Sequence, residues 1–395
     1  MLFYARILVI CLVSLGLLYW LANLVYLLVG VRKIRNFAQL KARDLEKWPS
    51  VSVIIPARNE LKTLEGTFGT HLQSEYPDLE FIMVDDRSTD GTAQFLNQLA
   101  IEHKNVCTVH IQELPAGWLG KVHAMHIGQQ MATGDWLLFT DADILIKPGT
   151  LTKAISLCEE NRWDFLSVLP KFNQTKPVLD AVTTFIARTI FFGGQIWKAE
   201  DPTEKIPSGN GAFLLLRREV FEKSDGFPWL RMEVAVDLGV GLMMKRAGAR
   251  CVIVKATENV RLNFFTSYKD LKQNIERGGF GIMGQYNIVR IVMLGILTPI
   301  IEISPWAGFL PVGLPWLKLC GLIGVIASLS ISAAYASFLK RPLLSGLLAP
   351  LAVFVSSYYI VRAGIIGLIN KGISWRETFY PLVHLRRGRR VKFLL

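Results

Sequence analysis

The sequence predicts a mixed, mainly parallel α/β sheet held between apolar helices long enough to cross a bilayer. Three observations lead there. Ile7 to Val31 carries no charge, and about 20 apolar residues suffice to span a bilayer core. From Val51 onward, short apolar runs alternate with longer amphipathic ones, the pattern of strand–helix–strand units. Several of those short runs end in acidic clusters, of which Asp141-Ala142-Asp143 after Trp136-Leu137-Leu138-Phe139-Thr140 is the sharpest. The carboxyl ends of parallel strands are where such sheets bind ligands.

In chain order, residues 1–31 are expected to be a transmembrane helix, since the apolar run is too long for a cleaved signal peptide and no small-residue cleavage site follows. Arg32, Lys33, Arg35, Lys41 and Arg43 come next, marking residues 32–50 as a basic linker on the cytoplasmic side. Residues 51–265 then form the cytosolic domain. Val51 to Ile55, Leu79 to Val84, Cys107 to Ile111 and Trp136 to Phe139 read as strands. Leu61 to Ser74, Thr92 to His103 and Val122 to Met131 read as the helices between them. Further strand and helix signals run from Ala212 to about Lys255.

Residues 266–287 are expected to lie along the membrane surface as an amphipathic segment, and 288–371 to be a C-terminal membrane region. Within it, Ile288 to Leu310 is broken by Pro299 and Pro305, whereas Trp316 to Phe338 and Leu344 to Ile369 are each long enough to span. Three crossings here would place the basic tail, 372–395, away from the cytoplasm, against the positive-inside rule. Either one segment is re-entrant or the broken stretch crosses twice. Glu302 sits in that stretch, where a charge faces protein, water or a polar substrate group, or snorkels.

The 395 residues carry a formal charge of +12. That charge crowds beside apolar segments, as at Arg386, Arg387, Arg389 and Arg390, which suits anionic headgroups. No aromatic-and-basic recognition motif accompanies it, so no nucleic-acid partner is expected. Cys11, Cys107, Cys158, Cys251 and Cys320 are scattered without ligand spacing and read as reduced thiols.

Two carboxylates as close as Asp141 and Asp143 resist ionising together unless a cation lies between them, and oxygen ligands favour Mg2+ or Mn2+. The plain alternative is that Asp143 caps the turn at Lys147-Pro148-Gly149-Thr150. Pro56-Ala57-Arg58-Asn59-Glu60 and Asp85-Asp86-Arg87-Ser88-Thr89-Asp90-Gly91-Thr92 end the first and second strands. Ser88 and Asp90 serve a turn or cap, but turn needs do not account for Asp85 and Asp86, which suit a nucleobase or ribose, as does Glu60. Leu114-Pro115-Ala116-Gly117-Trp118-Leu119-Gly120-Lys121 is a glycine-rich loop ending in a lysine before a helix, suited to phosphate though not a P-loop.

The order and spacing of these motifs resemble those of family-two glycosyltransferases with the GT-A fold, over roughly a hundred residues. Membrane-bound members that act on lipids carry a similar Gly-Trp-x-Gly-Lys. The resemblance implies that Pro56, Ala57, Glu60, Asp85 and Asp86 hold the nucleotide, uridine above all. By the same token Gly120 and Lys121 meet its phosphates, and Asp143 binds the divalent cation with Asp141 assisting. Ser208-Gly209-Asn210-Gly211-Ala212-Phe213 is similar to the acceptor-side loop, which implicates Asn210 and Gly211; a tight turn alone would account for it. In the stretch Glu233 to Gly241, Asp237 stands where the family keeps its base, with Glu233 in reserve. Inverting transfer needs one carboxylate to take the acceptor's proton. Gln273-Asn274-Ile275-Glu276-Arg277-Gly278-Gly279 resembles the Gln-x-x-Arg-Trp box without its tryptophan, leaving Arg277 to meet either diphosphate or lipid.

The layout is similar to ceramide glucosyltransferases and to bacterial hopanoid- and carotenoid-associated glycosyltransferases. It implies an integral protein of a bacterial plasma membrane, its catalytic domain cytoplasmic, moving a sugar from a nucleotide-sugar donor to a membrane lipid acceptor. A processive polysaccharide synthase and a non-catalytic binding protein are the competing readings.

Overall fold

The computed structural model describes residues 2–72 and 76–392. Residues 73–75, with the end of the helix expected over Leu61 to Ser74, and 393–395 of the expected tail lie outside it. A single long helix, α1 (Leu2–Lys33), opens the chain and ends on Arg32 and Lys33. The domain that follows begins with β1 (Val51–Ala57), α2 (Leu61–Leu72), β2 (Leu79–Asp86), α3 (Thr92–Glu102) and β3 (Val106–Ile111). Next come α4 (Gly120–Met131), β4 (Trp136–Phe139), β5 (Leu145–Ile146), α5 (Thr150–Asn161), β6 (Phe165–Leu169), β7 (Lys171–Phe172) and α6 (Pro177–Gly194). The domain is completed by β8 (Leu214–Arg217), α7 (Arg218–Glu222), α8 (Gly226–Leu230), α9 (Val236–Arg246), β9 (Cys251–Lys255) and β10 (Val260–Leu262).

The main sheet has seven strands in the order β3-β2-β1-β4-β8-β6-β9. All neighbours pair in parallel except β8, which runs antiparallel to both β4 and β6. Burial on both faces explains the continuous apolar runs. Along β4, Leu137 and Phe139 enter one core layer with Ile54, Val84, Val122 and Met125. Trp136 and Leu138 enter the opposite layer with Val53, Ile55, Leu64 and Phe68. A small second sheet, β5-β10-β7, lies beside it.

After the domain come α10 (Tyr268–Gly278), a π-turn over Gly279–Met283, α11 (Ile288–Ile303), a 3-10 turn over Ser304–Phe309, α12 (Pro315–Phe338) and α13 (Leu343–Ile369). Among the described residues, four helices are long and apolar enough to cross a membrane: Leu2–Lys33, Ile288–Phe309, Pro315–Phe338 and Leu343–Ile369. Pro299 does not end α11, and the helix continues into the 3-10 turn that Pro305 enters.

The expected basic tail is folded structure: a hairpin of β11 (Gly372–Trp375) and β12 (Thr378–Pro381), then α14 (Leu382–Gly388). Tyr380, Leu382 and Leu385 are buried in the domain's core layer, which holds this segment on the domain despite its arginines.

Glu302 faces protein. It is almost fully buried, accepts a 2.6 Å hydrogen bond from the Tyr19 hydroxyl of α1 and pairs with Arg188 of α6. Arg188 also donates to Ser332 of α12 at 2.6 Å and stacks on Trp20, so one ion pair joins four helices. Removing one member of a buried pair leaves the other charge uncompensated, at about 3–5 kcal/mol. Glu302→Leu is therefore expected to lower the thermal unfolding midpoint of the solubilised protein sharply. Adding Arg188→Met should recover most of the loss, which differential scanning fluorimetry would read.

Candidate active site

Strand β1 leads on through β2 and β3 to one edge of the sheet, and β4 leads through β8 to the other. The chain therefore diverges between β1 and β4, and a crevice opens beyond their carboxyl ends, as in other doubly wound sheets. Pro56 and Asp141 wall it from the two strands. Lys121, Gly211, Val236 and Asp237 line it with them, over a base of Met125, Phe139 and Leu214.

Asp237 lies in the first turn of α9. Its Oδ1 accepts from the Leu238 amide at 3.0 Å and its Oδ2 from the Gly211 amide at 3.3 Å. Burial nevertheless raises its carboxyl above the usual aspartate range, opposed by the Lys121 charge and by these amides. A base with a raised pKa and a remaining lone pair is suited to accepting a proton near neutrality. Glycine is required around it. A β-carbon on Gly241 would overlap the Ser208 carbonyl, and one on Gly211 would lie 3.0 Å from Asp141 Oδ2 and 3.5 Å from Lys121 Nζ. Asn210 shapes the loop instead of facing the cleft: its amide donates to Ser167 Oγ at 2.9 Å and its Oδ1 accepts from the Ala212 amide at 3.0 Å.

Lys121 Nζ stands 2.5 Å from Asp141 Oδ1. Asp143 is pushed up to about 6 by burial first, then by the charges of Asp141 and Glu60, with Lys121 opposing. Three carboxylates and one ammonium thus share a single field.

At the end of β2, the two acids are engaged within the protein. Asp85 accepts from the Ser88 amide and meets His110 Nδ1, each at 3.2 Å. Asp86 accepts from Arg87 Nε at 2.8 Å, with Arg58 3.9 Å away. Asp90 closes the turn, accepting from the Thr92 and Leu61 amides at 3.0 and 3.2 Å. Ala57 is buried under the sheet and offers the cleft only backbone. The Gly120 amide, expected to be open to phosphate, donates to the Tyr380 hydroxyl at 3.1 Å.

The hairpin that supplies Tyr380 is the part of the site that sequence reading missed. Arg376 pairs with Glu60 and donates to the Arg58 carbonyl at 2.5 Å. Trp375 lies under Arg277, 4.7 Å from guanidinium carbon to ring centre. No tryptophan follows Arg277 directly in the chain, and the one it meets lies almost a hundred residues later. Arg277 also donates to Asn274 at 2.7 Å; burial, then the Arg376 charge, lowers its pKa. No glycine or asparagine marks the turn, yet Arg376 and Glu377 both adopt positive φ, 45° and 65°, the twist that two-residue hairpins need.

Glu233 is not poised for chemistry. The helix starts only at Val236, so Glu233 does not share a face with Asp237. Its carboxylate accepts from the Ala235, Arg390 and Val391 amides at 2.9, 2.6 and 2.9 Å, clasping the chain beyond α14.

Residues 52–225 match the family described as glycosyl transferase family 2. The α/β domain is a family 2 glycosyl transferase domain. It is 31% identical over 154 residues to the 4,4'-diaponeurosporenoate glycosyltransferase of Staphylococcus haemolyticus, covering 38% of this chain and 40% of that one. It is also 28% identical over 231 residues to the probable glycosyltransferase YdaM of Bacillus subtilis, covering 54% and 53%. The chain thus spans about half the length, or less, of these curated relatives. The mannosyltransferase PcManGT of Pyrobaculum calidifontis, solved with GDP-Man and Mn2+, superposes with a TM-score of 0.55 at 19% identity, covering 91% of this chain and 99% of that one. That likeness establishes the GT-A fold of the glycosyl transferase domain.

Proposed function

We propose that this family 2 glycosyl transferase moves one sugar, with inversion, from a UDP-linked donor to a hydroxyl of a membrane lipid. The observation that carries the reading is Asp237, a half-buried carboxylate of raised pKa facing Lys121 and Asp141 across a cleft at the sheet's switch point. Asp237 takes the acceptor's proton as its oxygen attacks the anomeric carbon and the bond to the diphosphate breaks. Lys121 and Arg277 meet the charge that develops on the departing diphosphate. Glu60, Asp85 and Asp86 line the nucleoside end, and Asn210 with Gly211 fixes the acceptor side.

Asp143 and Asp141 would hold the divalent cation. The fit is electrostatic: Asp143 is raised to about 6 because its neighbours are mostly carboxylates, and a cation would relieve that excess. Oxygen donors suit Mg2+ or Mn2+, and the relative solved with Mn2+ agrees. Once bound, the ion would neutralise the diphosphate.

The lipid acceptor is supported by what Arg277, whose charge is felt at Asp141 and Asp237, packs beside. Arg277 rides on α10, whose Leu271 and Ile275 pack into one apolar cluster with Leu179 and Val182 of α6 and Ala352 and Val353 of α13. The site therefore adjoins the apolar helices directly. Residues 51–265 form the catalytic unit, 266–287 its contact with the membrane surface, and 1–31 and 288–371 the membrane-associated parts. The basic residues at 32–43 and 386–390 support a cytoplasmic catalytic side at a bacterial plasma membrane.

The test is to incubate the full-length protein in lipid with a panel of labelled nucleotide sugars and a native lipid extract, then weigh the products. An organic-phase product heavier by one hexose is expected. A water-soluble polymer would favour processive synthesis, and failure to bind any nucleotide sugar would overturn the reading.

A further inference from the structure

We infer that α13, although apolar enough along its length to cross a bilayer, lies in the plane of the membrane interface beneath the catalytic domain, with its outer face docked on lipid. Both of its ends are fastened to that one domain. Before its first turn, Lys340 pairs with Glu258. Arg341, itself buried, donates to the Phe172 carbonyl at 3.1 Å, to Asp180 Oδ1 at 2.9 Å and to Thr184 Oγ1 at 2.9 Å. After its last turn, the hairpin ties Arg376 to Glu60 and Tyr380 to Gly120. A helix of 27 residues is about 40 Å long. Running through the bilayer, it would carry one of these anchorages to the far side, away from the domain that both of them hold.

The faces of α13 agree. Inward, Ala349, Ala352 and Val353 pack against α6 and α10, while Gly346 and Gly364 seat closely on α12 and α11. Outward, Leu347, Leu351, Phe354, Tyr358, Ile365 and Ile369 are exposed, at spacings that put them on one helical face. Arg362 is the only charged residue of the helix, and it turns to Glu276 of α10. A contiguous apolar stripe of this length on an otherwise packed helix, continuous with α11 and α12, fits acyl chains just below the headgroups.

This placement removes the conflict over the basic tail. The chain crosses in α1, in Ile288–Phe309 and in α12. The two distal ends of these crossings meet where Arg6 donates to the Val312 carbonyl at 2.9 Å. Two crossings after the domain return the chain to its own side, and α13 adds none.

Site-specific labelling tests this. Cys11 and Cys320 are replaced, buried Cys158 and Cys251 are left, and exposed Cys107 serves as the catalytic-side reference. Lys340→Cys, Lys371→Cys and Leu310→Cys are then introduced singly into the full chain in sealed vesicles and treated with a membrane-impermeant maleimide. Positions 340 and 371 should label together with Cys107, and 310 only from the opposite side. Labelling of 340 and 371 from opposite sides would overturn the proposal.

Spin labels at 347, 354 and 365 give an independent reading of depth. Equal, shallow depths, about 5–10 Å into the headgroup boundary, are expected. A maximum at 354 would mean a crossing helix. Water exposure at all three positions, or their contact with a second copy of the chain, would equally overturn lipid docking.

Discussion

Asp237→Asn is expected to lower turnover by about 10^2- to 10^4-fold, the range contributed by a positioned general base, while donor affinity is retained. The asparagine keeps the side chain's shape, and its oxygen can still accept from the Gly211 or Leu238 amide. What is lost is the capacity to take a proton. The wild-type pH profile carries a second mark of the same group. Because burial holds this carboxyl above the ordinary aspartate range, turnover falls as pH drops through that raised value, and the acidic limb should disappear from the residual activity of the variant. Initial rates over a pH series, with donor binding measured separately by calorimetry, resolve the two effects. Turnover that Asp237→Asn leaves unchanged would remove Asp237 from the chemistry and, with donor binding intact, favour a different base.

The second large effect concerns Asp143. Treatment with EDTA is expected to abolish transfer, and Mn2+ or Mg2+ to restore it. Asp143→Asn should weaken metal-dependent donor binding by more than the about 10–100-fold that loss of a supporting residue around a metal site costs. Asp141→Asn should weaken it less, because Asp141 is already neutralised by Lys121 at 2.5 Å. Isothermal titration of nucleotide sugar with and without Mn2+ gives both values. Donor binding that is indifferent to chelation would show that Lys121 and Arg277 alone carry the diphosphate.

Much of this was legible in the residues. A strand buried on both faces must be apolar throughout, so Trp136 to Phe139 announced a central strand, and the acids just past it had to lie at a tip. The main sheet, its mainly parallel character and the places of Lys121 and Asp141 follow from such local signals, whereas Asp237 was implied by the family resemblance. Long-range closure does not. The contacts of Arg376 with Glu60 and of Tyr380 with Gly120 join residues 316 and 260 positions apart, through a turn with no glycine to mark it. Glu233 is turned from Asp237 to the chain beyond α14 because the helix begins only at Val236, a start that the neighbouring residues do not signal. The anchoring of α13 was equally hidden, since its packed face and its outer face are both apolar and only tertiary contacts tell them apart.

The hairpin also sets an order of events in synthesis. One wall of the cleft comes from residues 56–121 and the covering strand from 375–380, with every apolar helix after the domain encoded between them. The sheet can fold while those helices are still being made. The pocket cannot close until they have been made and packed and the chain has come back. A newly made copy whose apolar helices fail to pack is therefore left with an open cleft, so a finished site also reports a finished fold beyond the domain.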